Sequence, residues 1–328
     1  MIAGVPTGLA PSLAALAPSL ERSWEASLRL RFGSRDAQTV LLENQHRGPL
    51  RLIKVLDSGD DAMPAPAGTG AFGVPASSTV RGVDAVIVHP PGGLAHGDSL
   101  NLAVALEPGA RVRCTTPGAQ KWYRGQAHAQ TGVRLGSQAQ LEWLPQPTIV
   151  YDGAQLDQRL EIHLAADAAT VGAESLVLGR RAMGERFARG WVRQSIRIAR
   201  AGELLWHETT DADAQNKLWD SLAGWAGRSV GASVWALASP TQGGLAASHR
   251  DQEVVEHWRS LLVAAGANQP DGAHRLLAGA TALAPGFVLA KLLGDDPEQV
   301  TELIQSLWAA ARPLVLGRAA RPLRLWAT

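Results

Sequence analysis

Nine histidines and a single cysteine are the residues of this chain whose types suggest metal or catalytic chemistry. The sequence has no HExxH pair and no histidine-rich tract. Because Cys114 stands alone, a CxxC site and an internal disulfide are excluded. His89, His96 and Asp98 are close enough in sequence to approach one ion. Polar loop residues also cap turns, so these three residues have a structural interpretation as well.

Two large enzyme classes lack their motifs in the required setting. The one GxSxG segment, GRSVG at residues 227–231, leads into an apolar run typical of a strand and not into a helix, so it does not predict a nucleophile elbow of the α/β-hydrolase type, although a triad on another fold is defined by geometry and not by order. There is no GxxxxGK[ST] loop and no GxGxxG that opens a helix. We therefore predict that the chain is not an enzyme and has no catalytic residues. The alternative is a hydrolase on a β scaffold that uses His89, His96 and Asp98.

Two short segments combine rigid and permissive residues at the ends of predicted strands. Residues 89–93 read HPPGG, and residues 115–119 read TTPGA. Proline fixes φ and glycine permits backbone conformations that other residues avoid, so each segment predicts a sharp, fixed corner. Residues 121–124, KWYR, add a cationic and aromatic surface behind the second corner. Aromatic residues and Arg often anchor interfaces, so the corners are interpreted either as stabilised turns or as a docking edge.

The elements that must position these corners are mainly strands. Alternation of apolar and polar residues predicts half-buried strands at residues 28–32, 101–106, 111–115, 140–144, 160–164 and 191–198. Residues 83–88 form a more continuous apolar run, which predicts burial on both faces. Gly, Pro and Asp separate the strands at short intervals. This pattern is typical of a mainly β, many-stranded solenoid or sandwich-like fold, and we predict one such domain over residues 22–328.

Two helices are predicted in the C-terminal part of the chain. Residues 251–266 place apolar side chains on one helical face. The second helix begins at Asp296 and Pro297, because Asp accepts hydrogen bonds from first-turn amides and Pro suits the first helical position. Pro313 predicts the end of this helix.

Two segments read as irregular, and no segment reads as a membrane or export signal. Residues 1–21 resemble a loose leader, and residues 57–82, rich in Gly, Ala, Pro and Ser, predict a long loop. The leader has no Lys or Arg before Arg22, and no stretch approaches the roughly 20 apolar residues of a membrane span. The net charge of +1 gives no field that would attract nucleic acid or anionic lipid. We predict a cytoplasmic protein without nucleic-acid or membrane partners.

Several motifs, taken in order, resemble those of the UreD family of urease accessory proteins, called UreH in some organisms. Residues 89–98 are similar to the family's HPPGG-x-x-GGD-type segment, and residues 115–124 to its TTPGA-x-K-x-YR segment. Residues 141–146 read LEWLPQ, as in the family's strand of that sequence. Residues 179–187 resemble its GR-x-A-x-GE-x-F segment. Shorter similarities at residues 24–32, 48–50 and 321–328 extend the resemblance over nearly the whole chain.

The chain also departs from the family pattern at two places. His96 stands where the family usually has glycine. Residues 57–82 lack the family's usual tyrosine-proline-glutamate segment. Contacts that relatives make at these two places are therefore not carried over.

The resemblance implies a mainly β urease maturation chaperone with two helices. Such proteins bind apo-urease and the all-helical partner UreF, which recruits the GTPase UreG, and together they insert nickel at the expense of GTP. The chain would need no cofactor of its own, since GTP is bound by a partner and nickel is handled transiently, along an internal tunnel that has been proposed for the family. A stand-alone nickel-binding protein is a further alternative.

Weak carboxylate or imidazole ligands suit a conduit, because tight binding would trap the ion. The predicted transient nickel ligands are His89, Asp98 and Glu142. The residues predicted for partner docking or for the conduit are His89, Pro90, Pro91, Gly92, Gly93, Gly97, Asp98, Thr115, Thr116, Gly118, Lys121, Tyr123, Arg124, Glu142, Trp143, Arg180 and Glu185.

Overall fold

A computed structural model describes residues 24–58, 80–240, 245–269, 276–321 and 325; of residues 245–247 it describes the backbone alone. The predicted leader, residues 1–21, lies outside this part of the chain, and so does most of the predicted loop at residues 57–82. The two ends of that loop are joined, because the Ser58 amide donates a hydrogen bond to the Gly82 carbonyl.

The described residues form eighteen strands and two long helices. The strands are β1 (Glu25–Arg35), β2 (Gln38–Arg47), β3 (Arg51–Asp57), β4 (Val83–Val88), β5 (Gly93–Leu94), β6 (Ser99–Leu106), β7 (Arg111–Thr115), β8 (Gln120–Trp122), β9 (Gly125–Leu135), β10 (Gln140–Leu144), β11 (Thr148–Val150), β12 (Ala154–Leu164), β13 (Ala169–Leu178), β14 (Trp191–Arg200), β15 (Glu203–Asp213), β16 (Val230–Leu237), β17 (Leu277–Ala284) and β18 (Phe287–Gly294). The helices are α1 (Leu245–Ala264) and α2 (Pro297–Leu316).

The strands form two sheets, and the chain passes repeatedly from one to the other. Sheet A has seven strands in the order β15-β14-β12-β9-β6-β1-β2. Sheet B has the order β17-β18-β16-β13-β10-β7-β4-β3, with the short strands β5, β8 and β11 at its side. From β6 to β14 the strands alternate between the sheets and pair in parallel within each, as in a β-solenoid. The predicted mainly β, many-stranded fold is therefore confirmed.

Alternate side chains of the strands point into the space between the two sheets and fill it. In β12, Leu156, Leu160 and Ile162 point inward and are buried, whereas Arg159 and His163 point outward. Every residue of β13 and β16 is buried, because sheet A covers one face of these strands and the helices cover the other. Such strands are continuously apolar rather than alternating. The predicted burial of residues 83–88 on both faces is confirmed, since the neighbours Ala85 and Val86 are both buried.

The two helices pack together on the outer face of sheet B. The Trp258 Nε1 of α1 donates a hydrogen bond to the Leu307 carbonyl of α2 over 2.8 Å. Asp296 caps α2 as predicted, accepting from the amides of Glu298 and Gln299. The predicted end at Pro313 is wrong, because α2 continues to Leu316.

The helix passes through Pro313 because its last turn is anchored by packing. Val315 and Leu316 are buried, and this burial offsets the one backbone hydrogen bond that Pro313 cannot donate. The helix ends where Gly317 takes a left-handed conformation. Among the described residues, no helix is both long enough and apolar enough to cross a membrane.

Candidate functional site

A cavity of about 380 Å³ lies between the two sheets and extends to the two predicted corners. Residues 87–90, Gly92 and residues 114–121 line it at the corner side. Deeper in, sheet A contributes Leu100, Leu102, Ala129, Gln158 and Leu160, and sheet B contributes Cys114, Trp143 and Glu174. The cavity therefore leads from exposed loops into the core between the sheets.

The two corners are held together by main-chain pairing. Strand β5 pairs in parallel with β8, so Gly93 lies beside Lys121 and Leu94 beside Trp122. Glycine is required at position 93, because a Cβ there would come within 2.5 Å of the Tyr123 ring. The Thr116 hydroxyl accepts a hydrogen bond from the Gln146 amide, which ties the second corner to the next turn of the solenoid. The structure thus brings the HPPGG and TTPGA corners into one rim.

Glu174 carries the one carboxylate among the described residues that line this cavity. Its Oε1 accepts a hydrogen bond from Trp143 Nε1 over 2.7 Å, the one hydrogen bond that the described residues give it. Burial raises the pKa of Glu174 to about 7, although the Trp143 hydrogen bond acts in the opposite direction. Near neutral pH this side chain therefore exchanges between a neutral acid and an anion able to bind a cation.

Sequence reasoning missed Glu174. The signal that could have found it is its position in β13, where a carboxylate interrupts a run of ten buried residues. A charged residue is rarely buried fully unless it is paired.

His89 lies at the rim with its imidazole turned inward. Both ring nitrogens are buried, and neither has a hydrogen-bond partner among the described residues. Burial lowers the pKa of His89, while the nearby charge of Asp98 opposes this shift. The ring is therefore neutral at physiological pH, which is the form that binds metal ions. Buried nitrogens without partners are uncommon and point to a ligand at this place.

Asp98 is near His89, but its carboxylate has a structural role. Its carboxylate accepts hydrogen bonds from the Trp24 amide over 2.8 Å and from the Ala95 amide over 2.7 Å. These bonds fasten the first corner to the start of β1. His96 is turned elsewhere, since its Nδ1 accepts from the Gln126 amide. The hydrogen bonds of Asp98 and His96 therefore go to the backbone and do not link the three residues into a catalytic relay.

Glu142 lies on the other side of sheet B. Its carboxylate accepts hydrogen bonds from Trp308 Nε1 over 2.7 Å and from Arg312 Nε over 2.9 Å, beneath α2. Burial alone would raise the pKa of Glu142, but Arg312, Arg318 and Arg113 together lower it. The predicted trio of His89, Asp98 and Glu142 is therefore not brought together. In the described part of the chain, no three His, Cys, Asp or Glu side chains are grouped as metal ligands.

Four other predicted residues form a second cluster, which adjoins the rim where the Tyr123 ring lies against Gly93. The rings of Tyr123 and Tyr151 meet edge to face, with centroids 5.1 Å apart. The Arg180 guanidinium lies 4.3 Å from the centre of the Tyr151 ring and pairs with Glu185 over 2.7 Å. The Arg124 side chain packs against Gly153. Tyr123, Arg124, Arg180 and Glu185 thus come from separate loops to one surface.

The remaining predicted residues line the cavity or shape the rim. Thr115, Thr116, Gly118, Lys121 and Trp143 line the cavity together with His89, Pro90 and Gly92. Pro91 is exposed at the corner. Gly97 adopts a left-handed conformation and donates its amide hydrogen bond to the Gln126 carbonyl.

Comparison with known proteins assigns this scaffold to a class. Residues 25–327 match the family model described as UreD urease accessory protein. Similar proteins named urease accessory protein UreD occur in Ralstonia nicotianae (36% identity, 93% of this chain and 95% of the relative) and Cupriavidus pinatubonensis (36%, 97% and 98%). A third, from Dechloromonas aromatica, is 34% identical over 95% of this chain and 97% of its own length.

The class is thus that of urease accessory proteins, which have a part in urease maturation. The chain belongs to the UreD family.

Proposed function

We propose that this protein is a urease maturation chaperone that passes nickel, as cargo, through the cavity between its two sheets. The observation that carries the proposal is the cavity itself, with the neutral imidazole of His89 at its rim and the carboxylate of Glu174 inside. Imidazole and carboxylate are both suitable ligands for a divalent nickel ion.

The sparse arrangement of these ligands supports transit rather than storage. A structural metal site needs several ligands fixed around one point, whereas a conduit needs binding weak enough for the ion to leave. The Glu174 carboxylate fits this requirement, because at neutral pH a bound cation must compete with a proton. We therefore expect the isolated chain to bind nickel weakly; tight, stoichiometric binding in calorimetry would favour the storage alternative.

The partners that we propose are a UreF-type helical protein, a UreG-type GTPase and the apo-urease subunits. In this proposal the chain is not catalytic, needs no cofactor of its own and works in the cytoplasm, while GTP is bound by the UreG-type partner. Tyr123, Arg124 and Arg180 offer aromatic and cationic anchors beside the cavity rim, where a partner must dock to receive or deliver the ion.

The proposal is tested by filling the cavity. Ala129 lines it from sheet A, whereas Ala103 lies on the exposed outer face of the same sheet. In cells that express urease and its accessory proteins, Ala129→Phe should still co-purify with the partners but should activate urease poorly. Ala103→Phe is the matched control and should behave as the wild type. If Ala129→Phe activates urease normally, the conduit is wrong; if the wild-type chain never associates with urease or its accessory proteins, the chaperone role is wrong.

A further inference from the structure

A row of polar side chains leads from Glu174 across sheet B, away from the rim. Glu174 of β13 is paired with Ser233 of β16, and Ser233 is paired with Lys291 of β18. Side chains directly opposite each other on antiparallel strands point to the same face, with Cβ atoms roughly 5 Å apart. Because Glu174 points into the space between the sheets, Ser233 and Lys291 point to that side as well.

Sheet A contributes a second polar row in the same direction. Gln158 lines the cavity and accepts a hydrogen bond from Gln194 Nε2 over 3.2 Å. On the next strand, β15, Glu208 is paired with Ile196, a buried residue of the core between the sheets. Glu208 therefore points inward too, opposite Ser233.

The two rows meet in a cluster of three residues. Ser233 Oγ donates a hydrogen bond to Glu208 Oε1 over 2.8 Å. Lys291 Nζ donates to the same oxygen over 2.5 Å and to Ser233 Oγ over 2.6 Å. The Lys291 side chain is 49% exposed and that of Glu208 is 24% exposed. This cluster therefore connects the polar interior to solvent on the side opposite the rim.

We infer that Glu208, Ser233 and Lys291 form a second, closed portal of the cavity, at which the Lys291 ammonium occupies the seat of a divalent cation. This inference rests on the proposed conduit and adds its second opening and the group that closes it. The carboxylate and hydroxyl oxygens that hold the ammonium are also ligands for a divalent ion. Lysine suits a removable plug, because its charge is carried on a flexible four-carbon stem that can turn into solvent.

The alternative is an ordinary surface ion pair, which would contribute little to stability and nothing to nickel binding. The two interpretations differ in what removal of the ammonium does. If Lys291 plugs a cation seat, its loss exposes the Glu208 carboxylate to metal ions. If the pair is only a surface contact, the loss leaves nickel binding unchanged.

The test is equilibrium binding of Ni²⁺ alone to the full-length chain. Lys291→Met keeps the apolar stem and should bind Ni²⁺ about tenfold more tightly than the wild type, because a competing positive charge is removed from the carboxylate. Lys291→Arg retains a cation and should bind as the wild type does. The gain should vanish in the double variant Lys291→Met with Glu208→Gln. Arg193→Met, which breaks the exposed pair of Arg193 and Asp211 on the outer face of sheet A, is the matched control and should show no gain.

Two results would overturn the portal: unchanged Ni²⁺ binding by Lys291→Met, or a gain that survives Glu208→Gln. Thermal unfolding of each variant confirms that folded protein is compared. Failure of the portal is separable from failure of the conduit. If Ala129→Phe lowers urease activation but Lys291→Met does not change Ni²⁺ binding, only the portal is wrong.

Discussion

Glu142 and Trp143 are neighbours in β10, yet their side chains lie on opposite faces of sheet B and belong to different networks. Trp143 donates its indole hydrogen bond to Glu174 in the cavity. Glu142 is buried beneath α2 with Arg312 and Trp308. Because successive side chains of a strand point to opposite faces, Trp143 contacts the functional candidate Glu174, whereas Glu142 belongs to a structural ion cluster. Substitutions at the two positions should therefore have different consequences.

Glu142→Gln should destabilise the fold without a specific effect on nickel. The substitution takes the Glu142 carboxylate away from the buried cations of Arg312 and Arg318, and breaking a buried ion pair in this way typically costs about 3–5 kcal/mol. Urea unfolding of the purified chain measures this loss. Urease activation should fall only as far as the folded fraction falls. If the Glu142→Gln protein has normal stability but fails to deliver nickel, Glu142 is a nickel ligand, as the sequence predicted.

Glu174→Gln should change the pH dependence of stability. The pKa of Glu174 in the folded chain, about 7, lies above its ordinary value of 4.5. Between these values the folded state holds a proton that the unfolded state has released, so this group makes the wild type less stable as pH rises. Glutamine cannot titrate. The stability of Glu174→Gln relative to the wild type should therefore improve by on the order of 3 kcal/mol between pH 4.5 and pH 8.

Denaturant unfolding of both proteins over this pH range is the measurement. Glu203→Gln, at the exposed first residue of β15, serves as the control and should run parallel to the wild type. Parallel curves for Glu174→Gln and the wild type would show that Glu174 titrates near its ordinary pKa.

Asp98→Asn should loosen the first corner. The Trp24 and Ala95 amides now donate hydrogen bonds to the charged Asp98 carboxylate. Its replacement by a neutral amide should lower the stability of the fold by about 1–3 kcal/mol. Loss of the Asp98 charge should also lower the pKa of His89 further, because that charge opposes the effect of burial. Urea unfolding measures the first effect and an NMR titration of the His89 ring the second. Asp36→Asn, in the exposed turn between β1 and β2, should change neither quantity.

Arg180→Gln should weaken partner association while leaving the fold nearly intact. Arg180 stacks on Tyr151 and pairs with Glu185 on a partly exposed surface, where such contacts contribute little to folding. Co-purification with a UreF-type partner measures association. Arg197→Gln on sheet A is the comparison and should co-purify normally. If both variants co-purify equally well with the partner, the cluster around Arg180 is not part of the docking surface.

The sequence predicted the repetitive parts of this fold well, because they follow local rules. Alternation located β1, β6, β10 and β12, and the Asp296 and Pro297 pair located the start of α2. The end of α2 was mispredicted, because the burial of Val315 and Leu316 that carries the helix past Pro313 is a tertiary effect.

The candidate site was predictable only in part. The ordered motifs located the rim, including His89 and Thr115. They could not show which face of sheet B would be covered by α2. Glu142 was therefore predicted as a nickel ligand although it lies beneath α2, and its neighbour Trp143 is the residue that points into the cavity. Glu174 stands out as a carboxylate within an otherwise largely apolar strand, but its place in the cavity depends on the pairing of β13 with distant strands.

The central claim is that nickel passes Glu174 on its way to urease, and the most direct measurement is the nickel content of urease matured with Glu174→Gln in place of the wild-type chain. Glutamine preserves the shape and the Trp143 hydrogen bond but cannot become an anion. We expect normal co-purification of the maturation complex and urease that contains several-fold less nickel per active site, with Glu203→Gln as the unaffected control. Urease with its full nickel content in the presence of Glu174→Gln would contradict the account.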